Sequence, residues 1–250
     1  MSLSDTFFAR PVAHRALHDA TRPENTLAAI RAAMDAGYGI EVDVQPAADG
    51  TPMVFHDYAL DRLTGQEGWV REQPVETLGD LRVKGTGERV PTLAQVLDTI
   101  GGAVPLIVEI KDQDGALGPA VGALEKAVAD VLAGYAGPVA VMSFNPNSVR
   151  VFGGHAPDIP RGLVTDAFTE EDWPMVPAPR RAKLASLREV AASGAQFISH
   201  NVRHLDMVEV EKVKRGGLTV LCWTVRSAEQ ADRARRIADQ ITFEGFTPVE

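Results

Sequence analysis

Charged side chains interrupt two short apolar runs in the first half of the chain. Glu41 and Asp43 lie two residues apart in the run Ile-Glu-Val-Asp-Val. Side chains of a strand alternate between its faces, so both carboxylates project from one face, about 7 Å apart along the strand. Two such carboxylates repel each other unless a cation or a proton lies between them. The spacing therefore favours a metal site.

The run Leu-Ile-Val-Glu-Ile-Lys at 106–111 repeats this spacing, because Glu109 and Lys111 share one strand face. A carboxylate on a second strand favours a metal site over a solvated acidic face. Three carboxylates suit a hard divalent cation, Mg²⁺ or Ca²⁺, whereas the single cysteine and the absence of clustered histidines disfavour structural zinc.

Two histidines close short apolar runs, His14 after Val-Ala and His56 after Met-Val-Phe. Histidines titrate near neutral pH, so this pair could serve as general acid and base. Arg15 offers a planar fork to two oxygens of an anionic ligand, and Lys111 offers a point charge. For the remaining histidines we expect surface or capping roles: His18, His155, His200 and His204.

Length and charge limit the class of protein. A chain of 250 residues, 45% of them hydrophobic, can bury a full core. The net charge of -9 argues against nucleic acid as a partner. No apolar run is long enough for stable membrane insertion, and the first ten residues lack the pattern of a secretory signal. We therefore expect a cytoplasmic protein, with Cys222 as a buried thiol.

Strand patterns alternate with helix patterns along the chain. The predicted strands are 12–14, 39–45, 105–110, 139–142, 161–164, 196–199, 218–223 and 240–243, and the predicted helices are 27–36, 93–100, 117–132, 147–152, 184–192, 207–214 and 228–236. Eight strands separated by helices predict an α/β fold, a (β/α)₈ TIM barrel. We interpret 1–250 as a single domain in which residues 58–90 form a modest insertion with little regular structure. No G-x-G-x-x-G follows the first strand, which weakens a dinucleotide-binding alternative.

In such a barrel the working residues lie at the carboxyl ends of the strands, where the residues named above are found. Asn25 is interpreted mainly as a helix start, and Glu24 as a group that orients a neighbour. Little chain follows Phe243 for an eighth helix. We expect either a different cap there or coverage of that side by residues 1–10.

Seven short motifs occur in a fixed order along the chain. They are H-R at 14–15, P-E-N-T at 23–26, E-V-D-V at 41–44, H-D at 56–57, E-I-K at 109–111, S-F at 143–144 and W-T-V at 223–225. This ordered set resembles the glycerophosphodiester phosphodiesterase family. The resemblance implies a TIM barrel that uses a divalent metal to hydrolyse glycerophosphodiesters to sn-glycerol 3-phosphate and an alcohol.

Carried over by position, the resemblance assigns roles to individual residues. It implies Glu41, Asp43 and Glu109 as metal ligands, His14 and His56 as acid and base, and Arg15 and Lys111 on the phosphate. We expect Phe144 to shape the mouth and Trp223 to form an apolar wall for the glycerol or the leaving group. Ordinary packing is the alternative for both aromatic residues.

Three positions depart from the family pattern. Ala16 stands where glycine is usual, Arg226 follows W-T-V in place of asparagine, and Phe243-Glu244 replaces a terminal Thr-Asp. The turn at Ala16 must therefore suit a residue with a Cβ.

Three functional hypotheses follow. The first is a phosphodiesterase acting on glycerophosphodiesters, and the second is an enzyme on the same scaffold acting on lysophospholipids, which a long apolar groove at the mouth would favour. The third is a non-catalytic barrel that binds a phosphoester, which would require a histidine or carboxylate to lie away from the site. The sequence does not predict the preferred alcohol, the metal or the oligomeric state.

Overall fold

The protein, represented by a computed structural model whose described residues are 3–248, contains a closed barrel of parallel strands. The strands in this range are β1 Val12–Ala13, β2 Gly39–Pro46, β3 Pro52–Val54, β4 Leu106–Ile110, β5 Val139–Ser143, β6 Arg161–Thr165, β7 Phe197–Asn201, β8 Thr219–Val225 and β9 Gln240–Phe243. β1 pairs in parallel with both β2 and β9, which closes the barrel. β3 alone runs antiparallel, against β2. The predicted (β/α)₈ TIM barrel is confirmed.

Helices surround the barrel, and polar side chains begin several of them. The α-helices in the described range are α1 Leu27–Asp35, α2 Asp61–Thr64, α3 Val75–Asp80, α4 Leu93–Ile100, α5 Ala123–Leu132, α6 Pro146–His155, α7 Ala178–Ala185, α8 Glu189–Ser193, α9 Val208–Arg215 and α10 Ala228–Ala234. Thr26 caps α1 by accepting a hydrogen bond from the backbone of Ala29. Thr92 and Gln95 form a capping box at the start of α4.

Side-chain alternation along β2 separates the apolar layer from the site. Ile40, Val42 and Val44 belong to the same core cluster as residues of α1 and α4. Glu41 and Asp43 point to the opposite face, toward the barrel interior, and are equally buried. The strand is therefore buried on both faces, as expected for a parallel barrel.

The amino-terminal segment closes the lower end of the barrel. Leu3 and Phe7 pack in one cluster with Ile107, Phe197 and other residues of the barrel interior. The side chain of Gln240 donates hydrogen bonds to the carbonyls of Phe7 and Arg10. Within the described range no helix follows β9, and residues 3–10 cover the end of the barrel rather than its outer side; residues 1 and 2 lie outside that range.

The segment 58–90 has more regular structure than the sequence indicated. It holds α2, α3 and a short 3₁₀ turn at Val70–Glu72. Apolar residues scattered through the segment, among them Leu60, Val70 and Leu78, pack with Phe55 into a separate small cluster. Each helix is only one or two turns long, so periodicity could not reveal it.

Two predicted helix boundaries were wrong because single residues adopt left-handed backbone conformations. Leu117 has φ 57°, and residues 112–122 form a loop whose backbone N–H groups bond Asp112 and Asp114. Helix α5 therefore begins only at Ala123. Leu187 has φ 52°, which divides the predicted helix 184–192 between α7 and α8.

Candidate active site

A cavity of 420 Å³ lies at the carboxyl ends of the barrel strands. All nine residues that the sequence singled out line it: His14, Arg15, Glu41, Asp43, His56, Glu109, Lys111, Phe144 and Trp223. They come from both ends of the chain and from six strands or the loops that follow them. The barrel thus brings the whole predicted set into one space.

The three carboxylates converge because of the register between β2 and β4. That register sets Asp43 directly beside Glu109. One oxygen each from Glu41, Asp43 and Glu109 lies within 4.8 Å of the others. The Nζ of Lys111 bridges two of them, at 2.9 Å from Asp43 Oδ1 and 2.8 Å from Glu109 Oε1. The cluster is buried, so its charges are poorly screened by water.

The loop after β1 binds Glu41 through its backbone. Arg15 and Ala16 have φ 52° and 64°, in the left-handed region. The Arg15 N–H donates to Glu41 Oε2 at 2.8 Å, and the Ala16 N–H donates to the Glu41 carbonyl at 3.0 Å. Ala16 therefore holds the conformation that glycine would adopt more easily, at a cost of roughly 1–2 kcal/mol. The turn suits a Cβ, as expected, and it fixes one carboxylate.

Asn25 supports the site directly, and its interpretation as mainly a helix start was wrong. Thr26 caps the helix instead. The Asn25 side-chain amide donates to Asp43 Oδ2 at 3.0 Å, and its oxygen accepts from the Asp43 backbone at 3.3 Å. Both residues are 1% exposed. This contact joins residues far apart in sequence, so no local pattern could reveal it.

The surroundings of the cluster oppose ionisation of Glu41 and favour ionisation of Asp43. Burial raises the pKa of Glu41 well above its usual value, and Asp43 and Glu109 add to that effect. Burial also opposes ionisation of Asp43, but Lys111 and other cations nearby outweigh it and hold its pKa far below the usual range. Among the described residues, the buried Glu41 Oε1 finds no hydrogen-bond partner. A bound cation would give this oxygen the partner that it lacks.

His14 is held by Glu244. The two residues lie 2.6 Å apart through Nδ1 and Oε2, and Arg226 bonds the other Glu244 oxygen at 2.6 Å. Burial raises the pKa of Glu244, but the hydrogen bond from His14 and the proximity of His18, whose Nε2 lies 3.6 Å away, outweigh it, so the pKa lies far below its usual value. A carboxylate can only accept a hydrogen bond, so Nδ1 of His14 is the donor. The other ring nitrogen, Nε2, takes no part in this bond. Burial lowers the pKa of His14, and Glu244 partly offsets this.

His56 has an equivalent partner in Asp57. His56 Nδ1 lies 2.7 Å from Asp57 Oδ1. Arg62 contacts both Asp57, at 2.6 Å, and Glu24, at 2.7 Å, and Glu24 accepts from Arg15 at 2.9 Å. Hydrogen bonds thus run without a break from His56 to Arg15. Glu24 orients Arg15, which agrees with the role expected for it, whereas Arg62 carried no sequence signal.

Aromatic side chains form one side of the site. The rings of Phe144 and Trp223 meet edge to face at 5.4 Å, and Phe144 also packs on Trp173 at 4.9 Å. Phe144 and Trp223 line the cavity as well as packing on each other. His200 was expected at the surface or at a helix cap, and this was wrong: it is fully buried and lies within hydrogen-bond distance of Thr165 and the His204 carbonyl, away from the cavity.

Two groups of side chains in the described part of the chain could hold a metal ion, Glu41 with Asp43 and Glu109, and His14 with His18 and Glu244. In the second group both Glu244 oxygens already accept short hydrogen bonds. In the first, the unpartnered oxygen of Glu41 and the all-oxygen ligand set fit a hard divalent cation. The first group is therefore the better metal site.

A barrel with a cavity of charged and polar side chains at the carboxyl ends of its strands is the arrangement of a TIM-barrel enzyme. Residues 14–239 match the family model described as glycerophosphoryl diester phosphodiesterase family, and the chain belongs to that family. A glycerophosphodiester phosphodiesterase of Caldanaerobacter subterraneus subsp. tengcongensis is 34% identical over 220 residues, 84% of either chain. A putative glycerophosphodiester phosphodiesterase of Bacillus subtilis is 28% identical over 229 residues, 88% of this chain and 87% of that one.

A solved structure has the same fold. It is a phosphodiesterase of Oleispira antarctica in complex with the product sn-glycerol-3-phosphate, with a TM-score of 0.78 and 24% identity over 96% of this chain and 94% of that one. Among residues 3–248, none of the helices combines the length and the apolar character needed to cross a bilayer.

Proposed function

We propose that this enzyme hydrolyses glycerophosphodiesters to sn-glycerol 3-phosphate and an alcohol with the help of a divalent metal ion. The observation that carries the proposal is the convergence of three carboxylates, two histidines, an arginine and a lysine on one cavity. A non-catalytic barrel would require one of these groups to lie elsewhere. The relative that holds sn-glycerol-3-phosphate supports the same product class.

Glu41, Asp43 and Glu109 would hold the metal, and the hard oxygen set favours Mg²⁺ or Ca²⁺. When bound, such an ion stabilises negative charge that develops on the phosphate oxygens. The buried, unpartnered Glu41 Oε1 supports this assignment. Arg15 and Lys111 are then the residues that bind the phosphate, and they explain how a chain of net charge -9 accepts an anion.

His14 and His56 would move the protons. Water supplies the hydroxyl that forms the new bond to phosphorus, the bond from phosphorus to the alcohol oxygen breaks, and the alcohol leaves with a proton. One histidine accepts the proton from the attacking group and the other donates to the leaving oxygen. Glu244 and Asp57 are positioning residues, because each binds an Nδ1 and leaves Nε2 for the substrate.

The direct test measures sn-glycerol 3-phosphate and alcohol release from several glycerophosphodiesters, with chelator and with millimolar Mg²⁺ or Ca²⁺. We expect both products in equal amounts with metal, and loss of turnover in chelator that added metal reverses. Undiminished turnover after exhaustive chelation would refute the metal dependence. Release of inorganic phosphate alone would refute the reaction.

Glu244→Gln should displace the pH profile of kcat/KM toward lower pH. Glutamine can still accept the hydrogen bond of His14, but it lacks the charge that raises the pKa of this histidine. The pH limb that depends on His14 should therefore move down, whichever proton His14 carries in the reaction. The measurement is kcat/KM from pH 5 to pH 9. Glu229→Gln, on the exposed face of α10, is the control. A lower rate with an unmoved profile would mean that Glu244 only supports the fold.

A further inference from the structure

A second cavity adjoins the candidate active site. It measures 660 Å³ and shares His56, Glu109, Lys111, Phe144 and Trp223 with the first cavity. Most of its exposed surface is apolar. The remaining lining consists of Tyr58, Ala59, Trp69, Leu117 and Trp173 together with four charged residues, Asp57, Asp61, Arg62 and Asp112. We call it the apolar groove. Any molecule in the first cavity thus has a continuous path into this groove.

Aromatic packing shapes the wall of the groove that continues from the site. Phe144 packs on Trp173 with ring centroids 4.9 Å apart, and Trp173 packs on Phe168 at the same distance. The Trp173 indole also donates to Asp166 at 3.0 Å, which fixes its orientation. This wall is therefore formed before any ligand binds, which lowers the entropic cost of binding.

The segment 58–90 contributes two unusually exposed aromatic side chains. Trp69 is 51% exposed and Tyr58 is 44% exposed, and both line the groove. The Tyr58 hydroxyl donates to the Asp112 carbonyl at 2.8 Å, so its ring is held in place. Aromatic surface that remains in water at a concave site is typical of ligand binding. These two rings would be covered by a ligand in the groove.

The two cavities differ in polarity in a way that matches the two arms of a phosphodiester. Asn201, Arg203, Arg226 and Gln230 line the first cavity but not the groove. They suit the hydroxyl groups of a glycerol arm. Two of the groove's carboxylates are engaged elsewhere: Asp57 binds Arg62, and Asp112 accepts from loop amides. A third, Asp61, is exposed to solvent, where a charge pair contributes little. A cationic headgroup would therefore gain little in the groove.

We propose that the apolar groove binds the leaving alcohol, and that the preferred glycerophosphodiesters carry an alkyl or aryl alcohol rather than choline, ethanolamine or glycerol. This inference rests on the proposed function and names its substrate class. The phosphate then lies between the groups that both cavities share, with glycerol on the polar side. Trp69 and Trp173 are the specificity-determining residues.

The test uses sn-glycero-3-phosphate esters of ethanol, butanol and hexanol, whose leaving alkoxides are of similar basicity, together with the choline ester. Each methylene buried in the groove raises kcat/KM by up to about fourfold. From the ethyl to the hexyl ester we therefore expect a rise of roughly 10- to 200-fold. The choline ester should fall below the butyl ester.

Trp69→Ala should reduce the hexyl-to-ethyl ratio of kcat/KM toward one, and Trp69→Phe should retain most of it. Met175→Ala is the matched control, because this side chain is 81% exposed and lies outside both cavities. It should leave the ratio unchanged. Melting curves of each variant establish that the fold is intact.

Three outcomes would overturn the inference while leaving the proposed function standing. They are a flat alkyl series, a choline ester that outperforms the butyl ester, and a Trp69→Ala variant that keeps the ratio but changes the particle mass in light scattering. The last result would make the groove a contact between copies of this chain. If no ester in the series is hydrolysed, the proposed function itself fails.

Discussion

His14→Ala and His56→Ala are each expected to lower kcat/KM by about 10²–10⁴-fold, the usual contribution of a general acid or base. Each histidine lines the cavity, and each has its Nδ1 engaged by a carboxylate. Neither is needed as a metal ligand if Glu41, Asp43 and Glu109 suffice. The loss should therefore appear in turnover, while metal binding and the melting temperature change little.

The measurement combines steady-state kinetics on one glycerophosphodiester with thermal melting in millimolar metal. His155→Ala is the control, because this histidine is exposed at the end of α6 and lies outside both cavities. The kcat/KM of the double variant should be little lower than that of either single variant, since the two groups act in the same reaction. Near wild-type turnover in either single variant would refute its role in proton transfer.

Glu41→Gln is expected to stabilise the protein in chelator at neutral pH. The raised pKa of Glu41 means that the folded protein binds this proton more tightly than the unfolded chain does. The resulting stability is complete below the unfolded pKa, about 4.3, and is lost as pH rises toward the folded value. Glutamine carries no such charge and can still accept the Arg15 N–H. In chelator, the melting temperature of the variant should fall less between pH 4 and pH 8 than that of the wild type.

With added Mg²⁺ or Ca²⁺, the wild type should become more stable than Glu41→Gln. A metal that binds only the folded state stabilises it by RT ln(1 + [L]/Kd), about 2.7 kcal/mol at a hundredfold excess over Kd. Glu41→Gln removes a charged ligand, so its melting temperature should rise less with metal, and turnover should collapse. Glu76→Gln, exposed on α3, should match the wild type throughout. Equal metal shifts in the wild type and Glu41→Gln would show that the ion binds elsewhere.

The core of the site could be predicted from sequence because it depends on local rules. Glu41 and Asp43 share a strand face by simple alternation, and Glu109 and Lys111 repeat that arrangement. The barrel topology then requires strand ends to meet at one rim. Local spacing and the fold class together were enough to bring these groups into one cavity.

The supporting residues could not be predicted because their contacts depend on closure of the barrel. Glu244 reaches His14 only because β9 pairs with β1, which joins positions 230 residues apart. Asn25 followed a helix-start pattern that its neighbour Thr26 fulfils. Trp69 and Trp173 come from separate loops whose placement depends on tertiary packing. Contacts of this kind leave no pattern in the local sequence.

Local backbone conformation explains the errors in helix boundaries. The stretch 184–192 has a helical pattern, yet Leu187 lies in the left-handed region that a leucine rarely adopts. At 112–122 two aspartates compete for backbone N–H groups that a helix would otherwise use. At 112–122 these local hydrogen bonds outweigh a weak helical preference, and at Leu187 the break accompanies burial of the side chain in the core.

Arg62 connects the segment 58–90 to the group proposed for proton transfer and to the group proposed for phosphate binding. Its half-exposed guanidinium bonds Asp57 and Glu24 at once. The first of these carboxylates holds a histidine, and the second holds the arginine assigned to phosphate. A displacement of α2 would therefore disturb proton transfer and anion binding together. Movement at the rim of the barrel would reach His56 and Arg15 through this one side chain.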